Sequence, residues 1–185
     1  VTRLGTAAAL VGLATIVIAV VGIGLGLIAA LKGGLADQIG NVVATLGLST
    51  PVFVVGVALI SVFSVGLGWF PTNGSGSGGL DTLFHLFLPA VALAVASSAY
   101  LARITRASVL EEKGREHVQT SVARGLSSGV TIRRHVLRNA LIPITTVMGL
   151  TIATLIAGAV VIENVFALDG LGSLLVRAIM QRDFA

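Results

Sequence analysis

The sequence predicts an all-α, polytopic membrane helical bundle, and three observations carry that prediction. Of the 185 residues, 55% are hydrophobic and only 11% charged, where a soluble domain averages about 25% charged. Four apolar stretches are each long enough to cross a bilayer. The charge that exists is concentrated: from Arg103 to Arg138 the chain carries eight arginines and lysines against three glutamates, a net of plus five. So few charged groups cannot cover the surface around a soluble core of this size, so the apolar faces must meet lipid or other helices.

A crossing needs about 20 apolar residues to span roughly 30 Å of hydrocarbon at about 1.5 Å per residue. The first span is expected at about 6–31. This run is too long for a signal-peptide core and lacks a small-residue cleavage site, so it is read as a true span. The second is expected at about 44–67, with Ser49, Thr50 and Pro51 near its start, the third at about 83–104 and the fourth at about 141–162. The only charge inside these limits is Arg103, at the end of the third, where a long side chain can snorkel to the interface. Glycines such as Gly22, Gly24 and Gly26 allow close approach of neighbouring helices, and Ser and Thr within the spans read first as packing groups.

The connections differ in character. Residues 32–43 are short and Gly-rich. Residues 68–82 hold Trp69-Phe70-Pro71, an interfacial aromatic anchor, then the Gly/Ser run 73–79, read as a flexible loop. Residues 105–140 form the basic segment, and the positive-inside rule places it in the cytoplasm. Residues 163–185 follow the fourth span, with a turn at Asp169-Gly170-Leu171-Gly172 and an amphipathic stretch from Ser173 to Met180. They are expected to form a shelf on the outer surface, with Glu163 facing water. There is no cysteine, which excludes a disulfide framework and thiolate metal sites. The basic residues sit between spans without interleaved aromatics, which argues against nucleic acid as a partner.

Within the basic segment, Val109, Val118, Val122 and Leu126 can share apolar surface in one helix ended by Gly125 and the Ser127-Ser128-Gly129 cluster. In a second helix Ile132, Val136 and Ala140 fall on one stripe, with Arg133, Arg134 and Arg138 on other faces and Pro143 marking entry to the fourth span. Two short helices around a glycine corner make a knob suited to a groove on a soluble partner. On composition alone the same segment is a solvated, positively charged retention loop.

Residue order decides between them. His117-Val118-Gln119-Thr120-Ser121-Val122-Ala123-Arg124-Gly125-Leu126-Ser127, followed by His135-Val136-Leu137-Arg138-Asn139-Ala140-Leu141-Ile142-Pro143, resembles the coupling motif of ABC-importer permeases, and the peptide-importer branch above all. Ser49-Thr50-Pro51-Val52-Phe53, Leu67-Gly68-Trp69-Phe70-Pro71, Leu88-Pro89-Ala90, Tyr100-Leu101-Ala102-Arg103-Ile104-Thr105-Arg106 and Val161-Ile162-Glu163-Asn164-Val165-Phe166-Ala167 fall in that family's order. The Gly-Trp-Phe-Pro element is similar to the first of the two paired permeases of dipeptide, oligopeptide and nickel importers. Gln119-Thr120-Ser121 stands where many ABC importers carry Glu-Ala-Ala, and His117 where Tyr is usual.

The resemblance implies the type I ABC importer permease fold over residues 1–185, with one further span expected before Val1 and one after Ala185. It implies a multi-pass protein of the cell membrane that forms a translocation path for peptides and is driven by ATP hydrolysed elsewhere. The expected partners are a homologous second permease, two ATPase subunits that bind the ATP and magnesium, an extracytoplasmic substrate-binding protein and membrane lipid. The chain itself carries no Gly-x4-Gly-Lys-Ser/Thr loop and is expected to hold no cofactor and no metal and to catalyse nothing. His117, Gln119, Thr120, Ser121, Arg124, Gly125, Leu126, His135, Arg138 and Asn139 are the expected ATPase-coupling residues, with Gly125 permitting the turn that exposes the helix end. Ser97, Ser98 and Thr151 are the expected polar positions on the substrate path. Nickel or glutathione import are alternatives within the family. An ion-coupled transporter or channel acting alone would place charge in mid-membrane, where these spans have none. A scaffold that recruits a soluble partner is the remaining alternative.

Overall fold

The computed structural model describes residues 2–181, and among these every regular element is helical. In chain order they are α1 (Arg3–Lys32), α2 (Gly34–Ser49), α3 (Val52–Gly66), α4 (Gly79–Lys113), α5 (Glu116–Ala123), α6 (Ser128–Val165) and α7 (Leu171–Gln181). Three of them, α1, α4 and α6, are long and apolar enough to cross a membrane, and α2 with α3 make a fourth crossing if the pair is taken as one broken span. Short π-helical turns interrupt α1 at Ala19–Ile23, α3 at Ile60–Gly66 and α6 at Ile132–Leu137.

The second crossing differs from the expected unbroken span over 44–67. One helix ends at Ser49 and another starts at Val52, with Pro51 between them in extended conformation at φ −59° and ψ 139°. The cause is local: proline has no N–H and disfavours helical backbone at the residue before it, so Thr50 cannot continue the helix. The other spans extend beyond the expected limits. Lys113, not Ile104, ends α4, and α6 begins at Ser128, 13 residues before the expected start of the fourth span. Pro143 therefore lies inside α6 instead of at its entry.

The chain divides into two compact units. In the unit of residues 18–48 and 97–151, α1 lies against α4 through its glycines. A Cβ on Gly22 would stand 2.9 Å from the Leu101 Cβ, and one on Gly26 would sit 2.6 Å from the Ala102 carbonyl oxygen. Leu101 and Thr105, which face these glycines, are fully buried. Lipid tails are as apolar as leucine, so contact of this kind, and not hydrophobic expulsion, holds membrane helices together. In the same unit Asp37 of α2 forms a two-pronged ion pair with the Arg106 guanidinium of α4, and the Arg103 guanidinium donates to Thr45 Oγ1 at 3.3 Å. Arg103 thus bonds to a neighbouring helix.

In the unit of residues 1–17, 49–96 and 152–185, Gly56 of α3 packs on Val165, Phe166 and Ile162, and Gly158 of α6 on Leu93. The Gly/Ser run 73–79 is tied down, contrary to the flexible loop expected. Gly74 N–H donates to the Phe166 carbonyl at 3.3 Å, Asp169 N–H to Ser75 Oγ at 3.2 Å, and Ser77 donates through N–H and Oγ to Asp81 Oδ2 at 2.6 and 3.0 Å. Phe70 stacks on Phe84 and Phe87 with ring centres 5.1 and 5.3 Å away, while Trp69 stays exposed.

Glu163 is the main correction in this unit. Only 1% of it is exposed, so it does not face water. Its Oε2 accepts the Ser173 N–H at 2.9 Å, in the first turn of α7, where the helix dipole favours an anion. Gly170 is required beside it, because a Cβ there would overlap the Glu163 carboxylate. The amphipathic shelf is present as α7, and residues 182–185 lie outside the described residues.

Gly26 and Gly24 give a controlled test of the glycine contact, because nothing lies within 4 Å of a Cβ on Gly24. Gly26→Ala is expected to destabilise the protein by about 2 kcal/mol, the usual cost of overpacking. Gly24→Ala is expected to change stability by less than about 1 kcal/mol, within the glycine-to-alanine difference in helix propensity. Unfolding titrations of both variants in detergent micelles check the pair.

Candidate functional site

Val109 and Val118, expected in one helix, lie in two, because the backbone turns between them. Helix α4 ends at Lys113, Gly114 and Arg115 turn the backbone, and α5 starts at Glu116. Glu116 supplies an acidic group in the first turn of α5, and the Gln119 side chain donates to the Gly114 carbonyl at 3.1 Å, which stitches α5 to the turn before it. At the other end Gly125 has φ +79°. Its N–H bonds to the Val122 carbonyl at 2.9 Å, and the Leu126 N–H to the Ser121 carbonyl at 3.2 Å. This pair of bonds is the Schellman arrangement, in which a left-handed residue just past the helix end satisfies the last carbonyls. Glycine suits it because a side chain costs about 1 kcal/mol or more in that conformation.

Helix α5 has two faces. Val118 and Ser121 are buried, while Gln119, Thr120, Val122, Arg124, Gly125 and Leu126 are exposed. Thr120 Oγ1 and Ser121 Oγ bond back to the carbonyls of Glu116 and His117 at 2.9 and 2.8 Å, so neither hydroxyl is left unpaired. The stripe expected at the start of α6 is present: Val136 and Ala140 are 1% and 2% exposed, Ile132 is half-buried, and Arg133, Arg134 and Arg138 are exposed.

A buried carboxylate outside the expected site residues joins these pieces. Glu112 is 7% exposed. Its Oε1 accepts the Asn139 amide at 3.0 Å and faces His117 Nε2 at 3.1 Å, and its Oε2 faces Arg115 Nε at 3.1 Å. One side chain from the last turn of α4 therefore holds the turn residue, α5 and α6 together. A buried carboxylate without donors is costly, and here both oxygens have partners. Asn139 also donates to the His135 carbonyl at 3.1 Å, and the rings of His135 and His117 lie 6.5 Å apart. A cleft of about 550 Å³ opens beside the cluster, bordered by Glu111, Glu112, Arg115, His117, Asn139 and Pro143. The sequence did contain a signal for Glu112: it continues the buried face of Thr105 and Val109 at spacings of seven and three.

Of the expected coupling residues, the structure gathers His117, His135 and Asn139 around Glu112, and leaves Gln119, Thr120, Arg124, Gly125, Leu126 and Arg138 outward. The three substrate-path positions are not brought to one open face. Ser98 is 5% exposed with its carbonyl against Gly22 of α1, Thr151 is 7% exposed and donates to the Val147 carbonyl at 2.8 Å, and Ser97 is half-buried. Ser98 and Thr151 lie within helix packing.

Asn139 is the partner that α6 supplies to Glu112. Asn139→Ala removes that donor and is expected to destabilise the protein by about 1–2 kcal/mol, the usual cost of leaving a buried acceptor short of a partner. Thermal unfolding of the variant against the wild type measures this.

The chain is similar to known transport proteins. Residues 22–185 match the model of the family described as binding-protein-dependent transport system inner membrane component. The glutathione transport system permease protein GsiC of Pectobacterium atrosepticum is 41% identical over 164 residues, covering 88% of this chain and 52% of the relative. The protein of the same name from Escherichia coli strain K12 is 40% identical with the same coverage. The chain spans about half the length of these curated relatives. Among solved structures, an amino acid ABC transporter with histidines superposes with a TM-score of 0.75 at 18% identity, over 99% of this chain and 79% of the other. The MetNI methionine ABC transporter gives 0.71 at 19% identity, over 96% and 78%. At these identities the structural likeness speaks for the fold alone, an all-helical architecture shared with chains of those transporters. By the family match over 22–185, the chain belongs to the binding-protein-dependent transport system inner membrane components.

Proposed function

We propose that this chain is the translocation subunit of an ATP-driven importer and that α5 is the surface through which ATPase subunits drive it. The observation that carries this reading is the exposed face of α5 and its Schellman turn, backed by the Glu112 cluster. A docking surface that transmits force must be open on one side and rigidly held on the other. Gln119, Thr120, Arg124 and Leu126 are the open side. The held side is Glu112, bonded to residues of the turn, α5 and α6. ATP and magnesium would be bound by the partner ATPases. A second, homologous permease would complete the path, and an extracytoplasmic binding protein would deliver substrate to the side carrying α7.

The substrate class that fits is small peptides. Relatives that bear the name of a glutathione permease favour a peptide of that size over nickel. Ser97, half-buried on α4, remains the position on the substrate path best placed to meet such a ligand.

Gly125 tests the drive. With the complete transporter reconstituted in liposomes, Gly125→Val is expected to lower peptide uptake per ATP hydrolysed several-fold while hydrolysis continues. A β-branched side chain is strained at φ +79°, yet nothing lies within 4 Å of its Cβ, so packing is spared. Unchanged coupling would remove α5 from the drive, and failure of any ATPase to associate with the wild-type protein would overturn the importer reading.

A further inference from the structure

Part of the positive charge of the basic segment has no counter-charge among the described residues. Arg133, Arg134 and Arg138 are exposed on α6, and none of them forms an ion pair among the described residues. With Val130, Leu137 and Leu141 they line one groove of about 610 Å³. The groove therefore combines three guanidinium groups with an apolar floor.

Its depth in the membrane follows from the length of α6. From Pro143 to Val165 the helix is about 34 Å long at 1.5 Å per residue, enough for the roughly 30 Å of hydrocarbon. Leu141 and Ile142, 46% and 67% exposed, then stand at the edge of the hydrocarbon, and the three arginines stand one to two turns beyond, at the level of the headgroups. Guanidinium groups bind phosphate oxygens in paired geometry and keep their charge at any physiological pH. The exposed Leu141 beside them would be wasted on a soluble acidic protein but matches an acyl chain.

We propose that this groove binds an anionic phospholipid of the leaflet on the basic side of the protein, its phosphate between the arginines and its chain leading past Leu141 into the hydrocarbon. The proposal rests on α6 crossing the membrane and not on the importer reading, so the two can fail separately. Because Arg138 also belongs to the expected coupling residues, the test uses Arg133 and Arg134.

The full-length protein in its natural assembly is placed in nanodiscs of phosphatidylcholine containing a minority of phosphatidylglycerol, and the lipid retained after detergent extraction is identified by native mass spectrometry. An arginine near an anionic surface is worth roughly five-fold in affinity. The double variant R133Q/R134Q is therefore expected to lose at least about five-fold in phosphatidylglycerol retention relative to phosphatidylcholine, and R133K/R134K is expected to keep most of it. In the wild type, retention should fall as salt is raised. Three results would overturn the proposal: phosphatidylglycerol retention unchanged in R133Q/R134Q, equal loss of both lipids, or wild-type retention indifferent to salt. Unchanged lipid with ATPase subunits released from R133Q/R134Q would assign the groove to a protein partner. The salt series needs no variant, so the proposal stays open to refutation even if R133Q/R134Q does not assemble.

Discussion

Inside a bilayer no water is available to a backbone N–H or C=O, and that constraint orders the rest of this structure. Each unpaired group in hydrocarbon costs several kcal/mol, so a crossing segment closes its hydrogen bonds within itself as a helix. Hydrophobic expulsion gives no force between such helices, so they associate through close packing of small residues, as Gly22 and Gly26 do against Leu101 and Thr105, and Gly56 and Gly158 against their own neighbours. Charge is then confined to the ends of the spans, and the fold concentrates its polar chemistry there.

Two buried carboxylates, one in each unit, carry much of that chemistry. Glu163 caps the first turn of α7 through the Ser173 N–H. Glu112 binds three pieces of chain into the basic knob. Each meets at least one donor and each fixes a short helix that could not hold its place through its own hydrogen bonds, since isolated helices shorter than about 12 residues are marginal in water. The eight-residue α5 is therefore ordered by tertiary contacts. Docked at one end and open on the other face, it has the form that the proposed drive requires.

How much of this was legible in the sequence depends on the range of the interactions involved. The helical membrane class and the regions of the crossings follow from composition and span length, which are local. The glycine turn at Gly125 was legible because a helix stop next to a Ser/Gly cluster has few solutions. The break at Thr50-Pro51 was visible in the residues but was read through, since an apolar run of the right length outweighed one proline. Glu112, Glu163 and the pinned Gly/Ser run were missed for a common reason. Their partners lie elsewhere in the chain, at His117 and Asn139, at Ser173, and at Phe166 and Asp169, and charge counting assigns a lone glutamate to water by default. The face shared by Thr105, Val109 and Glu112 was the one local sign that a carboxylate pointed inward.

The central claim is that the outward face of α5 meets a soluble ATPase. These 185 residues contain no cysteine, so a single Thr120→Cys introduces one addressable thiol on that face, and Asn73→Cys one in the Gly/Ser run as a control. In the intact complex a short thiol-to-amine cross-linker should join Thr120→Cys to the ATPase subunit and leave Asn73→Cys without that product. Absence of an ATPase adduct at Thr120→Cys, or equal adducts at both sites, would contradict the account.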